Sequence, residues 1–447
     1  MNDSALVIAA YLIVVLAIGA FGRRIKGLED FHLAGRSIKL VYLTGTFCAS
    51  IIGASSTLGM AGIGFSSGLP GAWWMLSGTA GLLVLAVLFA GRVRKTGCYT
   101  LPELVGTFYG QRARCAAAVL IVISWIGVVA VQIQASGKVL GAVLGGDQTL
   151  FMAACAAVFV LYTMHGGQSS VIKTDLVQLL IILAGMIVIF TSAWEAAGPE
   201  LLSGQSFPTS PQMGGWDVLT MLVVVGSAYL VGPDMHSRML SAHSPGEARA
   251  SAAISALILI PLAFIITSLG IFAHSLYPAA SPEEAIPLLM TGLLSPALQG
   301  LVAAAMLAAF MSSADTSLMT AASIFTLDIF RKAFSNSGEQ RLMAVSRISV
   351  AIIGLSALAL AVSMPGIIKT LMMAYTVFTS GLLLPVIAGF YKERLGLTSS
   401  GALAALAGGG ITAILFGQSH PLLGMAVSAS LLFGISWLER MFRRQGA

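Results

Sequence analysis

Charge is what this 447-residue sequence has least of: Asp, Glu, Lys and Arg together make up 9% of it, against 57% hydrophobic residues. A chain so poor in charge cannot clothe a soluble surface, and its repeated apolar runs of membrane-spanning length make it an all-α polytopic membrane protein. Long hydrophilic stretches are missing too. The longest break, Glu195 to Gly215, contains Gly, Pro and Ser throughout and reads as an external loop, so residues 1–447 are expected to form a single membrane domain. Cys48, Cys98, Cys115 and Cys155 have no paired spacing, which excludes a disulfide framework and a cysteine metal site and leaves them as packing residues. The net charge of +6 does not imply nucleic acid, because the basic residues lie in short breaks between apolar runs.

What is there is a regular alternation. Thirteen spans are expected, on Ala5–Gly22, Leu40–Phe65, Gly71–Gly91, Ala113–Leu144, Leu150–Met164, Ser170–Trp194, Asp217–Leu240, Ala250–Tyr277, Pro296–Phe330, Arg341–Met364, Ile367–Tyr391, Thr398–Gly417 and Leu422–Arg440. Basic residues such as Arg23, Arg24 and Lys26, Arg92 to Lys95, Arg331 and Lys332, and Arg443 and Arg444 fall in every second break. By the positive-inside rule the N-terminus is outside and the C-terminus cytoplasmic. Met1 to Gly22 opens with Asp3 and has no basic residue before its core, so it reads as a retained first span and not a signal peptide.

Two spans are interrupted. The second carries Cys48-Ala49-Ser50-Ile51-Ile52-Gly53-Ala54-Ser55-Ser56-Thr57, and the seventh carries Val231-Gly232-Pro233-Asp234 in mid-run. Small residues also serve close helix packing, but Pro and Gly free main-chain groups. The two breaks lie five spans apart, an odd number, so units starting at each run in opposite directions through the bilayer. That is the pattern of an inverted repeat with a midplane transport site. The expected organisation is an extra N-terminal helix and loop at 1–39, one repeat at 40–194, the second at 216–391 and two further helices at 398–447.

Polar groups inside a span are costly and mark function. Ser312-Ser313-Ala314-Asp315-Thr316-Ser317 sits in the middle of the ninth span. Sodium, a hard cation, prefers oxygen ligands. Hydroxyls of Ser312 and Ser313, the carbonyl of Ala309 one turn earlier, and carbonyls of Ala49 and Ile52 from the broken second span would supply them; alternatively the serines only bond back to the preceding turn. Asp175 and Asp315 share a depth, which suits a second cation or proton, unless Asp175 simply pairs with Lys173 at the interface.

Several ordered motifs resemble the sodium/solute symporter family, the group of the sodium/glucose cotransporters and the bacterial proline and pantothenate symporters. They are Glu29-Asp30-Phe31-His32-Leu33-Ala34-Gly35-Arg36-Ser37, Thr100-Leu101-Pro102-Glu103, Gly166-Gly167 with Thr174-Asp175-Leu176-Val177-Gln178, and Ala308 to Asp315 continuing to Leu327-Asp328-Ile329. The resemblance implies a LeuT-like five-plus-five inverted repeat and a sodium site on Ala49, Ile52, Ala309, Ser312 and Ser313. It also implies a second site on Asp175, Asp315 and Thr316, where the carboxylate of Asp315 departs from the family's hydroxyl.

The expected function is sodium-coupled import of a small organic solute, an amino acid or another small carboxylate, with sodium ion, solute and lipid bilayer as partners and no nucleic acid. The expected location is the cytoplasmic (inner) membrane of a bacterium. Candidate solute-lining residues are Ser55, Ser56, Thr57, Trp73, Trp74, Gln132, Tyr229, Asp234, Tyr375 and Phe378, polar groups among aromatics; Trp73 and Trp74 equally suit interface anchors. Arg238 is placed at a cytoplasmic span end as a topology or gate charge. The alternatives are a solute sensor without transport and an intramembrane hydrolase. The hydrolase is disfavoured because the histidines sit at loops or span ends, away from the serine cluster. Transport, not enzymatic catalysis, is expected.

Overall fold

A computed structural model describes residues 3–20, 27–364 and 366–445, which are helical apart from loops and two isolated β-bridges. Arg23, Arg24, Lys26 and the side chain of Arg444, used above for topology, lie outside the described residues. In chain order the main helices are α1 Asp3–Ala20, α2 Leu28–Leu33, α3 Leu40–Ile51, α4 Met60–Ser67, α5 Leu69–Lys95, α6 Leu101–Tyr109 and α7 Gln111–Leu144. Then come α8 at 148–166, α9 at 168–197, α10 Gly215–Leu230, α11 Pro233–Ser241, α12 Pro245–Leu276 and α13 Pro296–Ile324. The chain ends with α14 Glu339–Ser363, α15 Ile367–Gly389, α16 Ser399–Phe416 and α17 Leu423–Gln445.

Helices α8 and α9 form one continuous helical run, but Gly167 takes φ 58, a left-handed value that glycine adopts without cost. The Tyr162 hydroxyl lies 2.6 Å from the Thr174 hydroxyl, whereas twelve residues of straight helix would separate them by about 18 Å. The chain therefore doubles back at Gly167. Thirteen spans are expected, against nine helices, or ten with the broken pair α3–α4, that are long and apolar enough to cross a bilayer among the described residues, and this fold-back, which merges the fifth and sixth, accounts for one of the three still missing. The remainder is α1, whose apolar stretch Asp3–Ile18 is short, and α17, which ends in Glu439, Arg440 and Arg443.

Helix α13 is central: 78% of its apolar window is buried, against 39% for α14 and for α16. It packs on α1, α3, α7, α8 and α9, while α12 covers α3, α4 and α5, and α16 and α17 flank α15. Small residues permit these approaches, and the basic face is tied shut. Arg36 bonds Glu29 at 2.8 Å and the carbonyls of Gly97 and Cys98, Arg94 bonds the Ala242 carbonyl at 2.6 Å, and Arg114 bonds Asp328 at 2.6 Å.

Candidate ion and solute site

The first break begins where α3 ends. Ile52 has ψ 72, far from the helical value, so its carbonyl turns away from the helix direction, and α4 leaves at 61° to α3. The amide N–H of Ala54, left without a helical partner, donates to Gln132 Oε1 at 2.9 Å. Ser56 and Thr57 donate their hydroxyls to the carbonyls of Ile51 and Gly53, at 2.7 and 2.8 Å. Gly53 is needed for close approach: a Cβ there would stand 2.5 Å from Ser313 Oγ and 3.0 Å from Gln132 Oε1.

Across this break stands α13. Ser312 Oγ lies 2.8 Å from the Ala49 carbonyl and 3.0 Å from the Ala309 carbonyl, and Ser313 Oγ lies 2.8 Å from the Ser50 carbonyl. Three of the five expected oxygens, Ser312 Oγ and the Ala49 and Ala309 carbonyls, thus meet, while Ser313 Oγ reaches the same break of α3 at the Ser50 carbonyl, which was unforeseen. Ser312 does bond back to its preceding turn, but both serines also reach across to the other helix. A hydroxyl has a single proton, so Ser312 serves one of its two carbonyls at a time. The cluster holds more lone pairs than protons, a donor set that suits a hard cation.

Toward the basic face lies a charged layer. Arg238 and Asp175 are both fully buried, with Arg238 Nη2 3.7 Å from Asp175 Oδ2. Arg238 also donates to Thr46 Oγ1 at 3.1 Å, Thr316 Oγ1 at 2.6 Å, Ser50 Oγ and the Asp234 carbonyl, while Thr46 donates to Asp175. Asp175 therefore pairs with Arg238 and not with Lys173, which is exposed. The placing of Arg238 as a span-end topology charge is corrected: α11 continues to Ser241, and neighbouring helices cover the guanidinium. Asp315 is buried and accepts from Thr163 Oγ1 at 2.9 Å.

Between the two breaks lies a central cavity of about 30 Å³, room for a water or two, lined by Ser55, Gln132, Tyr229, Asp234 and Tyr375 among others. A larger vestibule of about 910 Å³ lies on the opposite side from the basic face, between Gly59, Gln134, Lys138 and Glu283. The Lys138–Glu283 ion pair and the bonds from Gln134 to the carbonyls of Ala361 and Met364 gather its walls. The other expected lining residues do not reach the central cavity. Ser56 and Thr57 brace the break, and Phe378 packs behind Trp125 with ring centroids 4.9 Å apart. Trp73 stacks on Phe207 and donates to the Pro208 carbonyl at 3.0 Å, in the external loop, and Trp74 is buried in packing. Trp125, which does line the cavity, was missed. One Gly-x-Ser-x-Gly sequence occurs, Gly64 to Gly68, but Ser66 gives its hydroxyl to the Gly62 carbonyl at 2.7 Å on a helix, not at a strand-to-helix turn.

The sequence model of the sodium:solute symporter family matches residues 31–409. A sodium/glucose cotransporter of Vibrio parahaemolyticus is 28% identical, the match covering 89% of this chain and 82% of that protein. The human sodium/myo-inositol cotransporter is 26% identical over 77% of this chain and 56% of its own length; the chain spans little more than half of that vertebrate relative. Among solved structures, an outward-open, substrate-bound Na+-coupled sialic acid symporter superposes with a TM-score of 0.83 at 16% identity, covering 98% of both chains. A nucleobase-cation-symport-1 family transporter in a closed conformation gives 0.61 at 13% identity, covering 93% of this chain and 94% of that one. At these identities the likeness establishes the fold, the LeuT-like inverted repeat. On the family match over most of its length, this chain belongs to the sodium:solute symporter family, whose members are membrane transporters and not enzymes.

Proposed function

We propose that the chain is a sodium-coupled symporter importing a small organic solute across the cytoplasmic membrane of a bacterium. The observation that carries this reading is the pair Ser312 and Ser313 reaching from α13 onto the carbonyls of Ala49 and Ser50 at the break of α3. A cation held by Ala49, Ile52, Ala309, Ser312 and Ser313 would tie the broken helix to α13 and favour one arrangement of the two repeats, 40–194 and 216–391. Through linkage, whatever factor sodium adds to solute affinity the solute adds to sodium affinity.

A second ion at Asp175, Asp315 and Thr316 is the weaker proposal, because the guanidinium of Arg238 already lies between Asp175 and Thr316. Of the solutes considered from sequence, an amino acid suits the site better than a bare carboxylate, since the charged residue on the cavity wall is itself an acid, Asp234.

The test is uptake of a radiolabelled amino-acid mixture into proteoliposomes, with and without an inward sodium gradient. The gradient is expected to stimulate uptake, and Ser312→Ala with Ser313→Ala to abolish the stimulation at unchanged helical content. Undiminished stimulation in the double variant refutes the site.

A further inference from the structure

We infer that the transported solute carries a protonated amine and that Asp234 receives it; this rests on the symport reading above. Asp234 is the one charged side chain among the described residues lining the central cavity, where it faces Trp125, Tyr229, Tyr375, Gln132 and serine hydroxyls. Its side chain is half-buried. It forms no ion pair within 4.0 Å among the described residues.

Arg238, one turn along the same helix, does not neutralise it directly. That guanidinium bonds the main-chain carbonyl of Asp234 at 3.2 Å and spends its other donors on Thr46, Ser50, Thr316 and Asp175. Its charge acts through space on both acids, but the side-chain ion pair it makes is with Asp175, on the far side from the cavity. Asp234, whose carboxylate accepts from main-chain N–H groups of the first turn of α11, thus lines a small space walled by aromatic rings with no cation in direct contact.

Three solute chemistries meet this wall differently. An anion sets a second negative charge against the first, which is repulsive and poorly screened away from bulk water. A neutral polyol leaves the carboxylate with only the more distant Arg238 as counter-charge, a weaker compensation in a membrane interior than a direct ion pair. An ammonium brings the charge and up to three N–H donors, and the faces of Trp125, Tyr229 and Tyr375 attract cations. A purely structural role is also on hand, because Asp234 lies in the first turn of α11, where an acid favours the helix dipole. That role predicts an effect on stability and none on solute choice.

The experiment uses the full-length protein in detergent and three probes of equal length: 3-aminopropan-1-ol, propane-1,3-diol and 3-hydroxypropionate. Each is titrated at millimolar concentration in sodium and in potassium, with thermal stability as the readout. The expected result is stabilisation by sodium alone, a further shift with the amine in sodium, and little shift with the diol or the hydroxy acid. Asp234→Asn should weaken apparent affinity for the amine roughly ten- to hundredfold while the shift with sodium alone persists. Should that variant not fold, the selectivity of the wild type among the three probes decides the matter. Equal shifts with the diol or the hydroxy acid, no amine shift in a protein that sodium stabilises, or an unchanged amine response in Asp234→Asn overturns the inference and leaves the symport reading standing. No difference between sodium and potassium in any condition overturns the symport reading and this inference with it.

Discussion

The two helix breaks use one backbone device for two kinds of chemistry. At the α3–α4 break no residue from Ala49 to Thr57 is charged, and what the interruption presents are neutral oxygens, with the stray amide of Ala54 held by Gln132. At the α10–α11 break the chain restarts with Pro233, which has no N–H to satisfy, followed at once by Asp234 and one turn later by Arg238. The first break suits a small cation. The second positions fixed charges, one lining the cavity and the other paired with Asp175. Interruption frees the backbone, and the residues beside it decide what the freed groups meet.

The sharpest way to break this contrast is to remove the locked charge. Arg238→Met leaves Asp175 buried without its cation and is expected to cost about 3–5 kcal/mol, read as a fall in denaturation midpoint. Adding Asp175→Asn should restore much of it; no rescue would mean that the pair is not the source. A matched pair of alanines probes the breaks themselves. Gly53→Ala would thrust a Cβ to within 2.5 Å of Ser313 Oγ, and Gly232→Ala one to within 2.6 Å of the Ala228 carbonyl. Each should cost about 1–3 kcal/mol. Only the first should weaken the sodium response severalfold, and equal effects on sodium would erase the distinction.

An effect confined to acid pH lies under the second break. Burial lowers the His32 pKa from 6.5 to about 3, with its ring nitrogens against the hydroxyls of Ser323 at 2.6 Å and Ser346 at 3.3 Å. The unfolded chain takes up a proton near 6.5 that the folded one refuses until about 3, so stability falls as pH drops between those values. His32→Gln should flatten that part of the pH–stability curve.

Much of this was legible in the sequence because it is local. Breaks announce themselves through Gly, Pro and Ser in an apolar run, and the proposed sodium ligands lie on two short segments whose composition already differs from their surroundings. The Ser50 carbonyl was not legible, since main-chain oxygens carry no signature and a helix offers several close together. Arg238 was misplaced because depth was judged from distance to the span end, while covering by neighbouring helices, a tertiary property, puts its guanidinium in the interior. Trp73 and Trp74 show the same limit: an aromatic at the mouth of a span points to loop, lipid or cavity according to packing that no short window contains.

The central claim, a cation between the α3 break and the serine pair of α13, is tested most directly by sodium titration of thermal stability in wild type and in Ser312→Ala with Ser313→Ala, at constant ionic strength with potassium. Binding to the folded state alone raises stability with the logarithm of sodium concentration once the site fills. The wild type should show that rise and the double variant a flat line. A rise of equal slope and midpoint in both proteins would contradict the account.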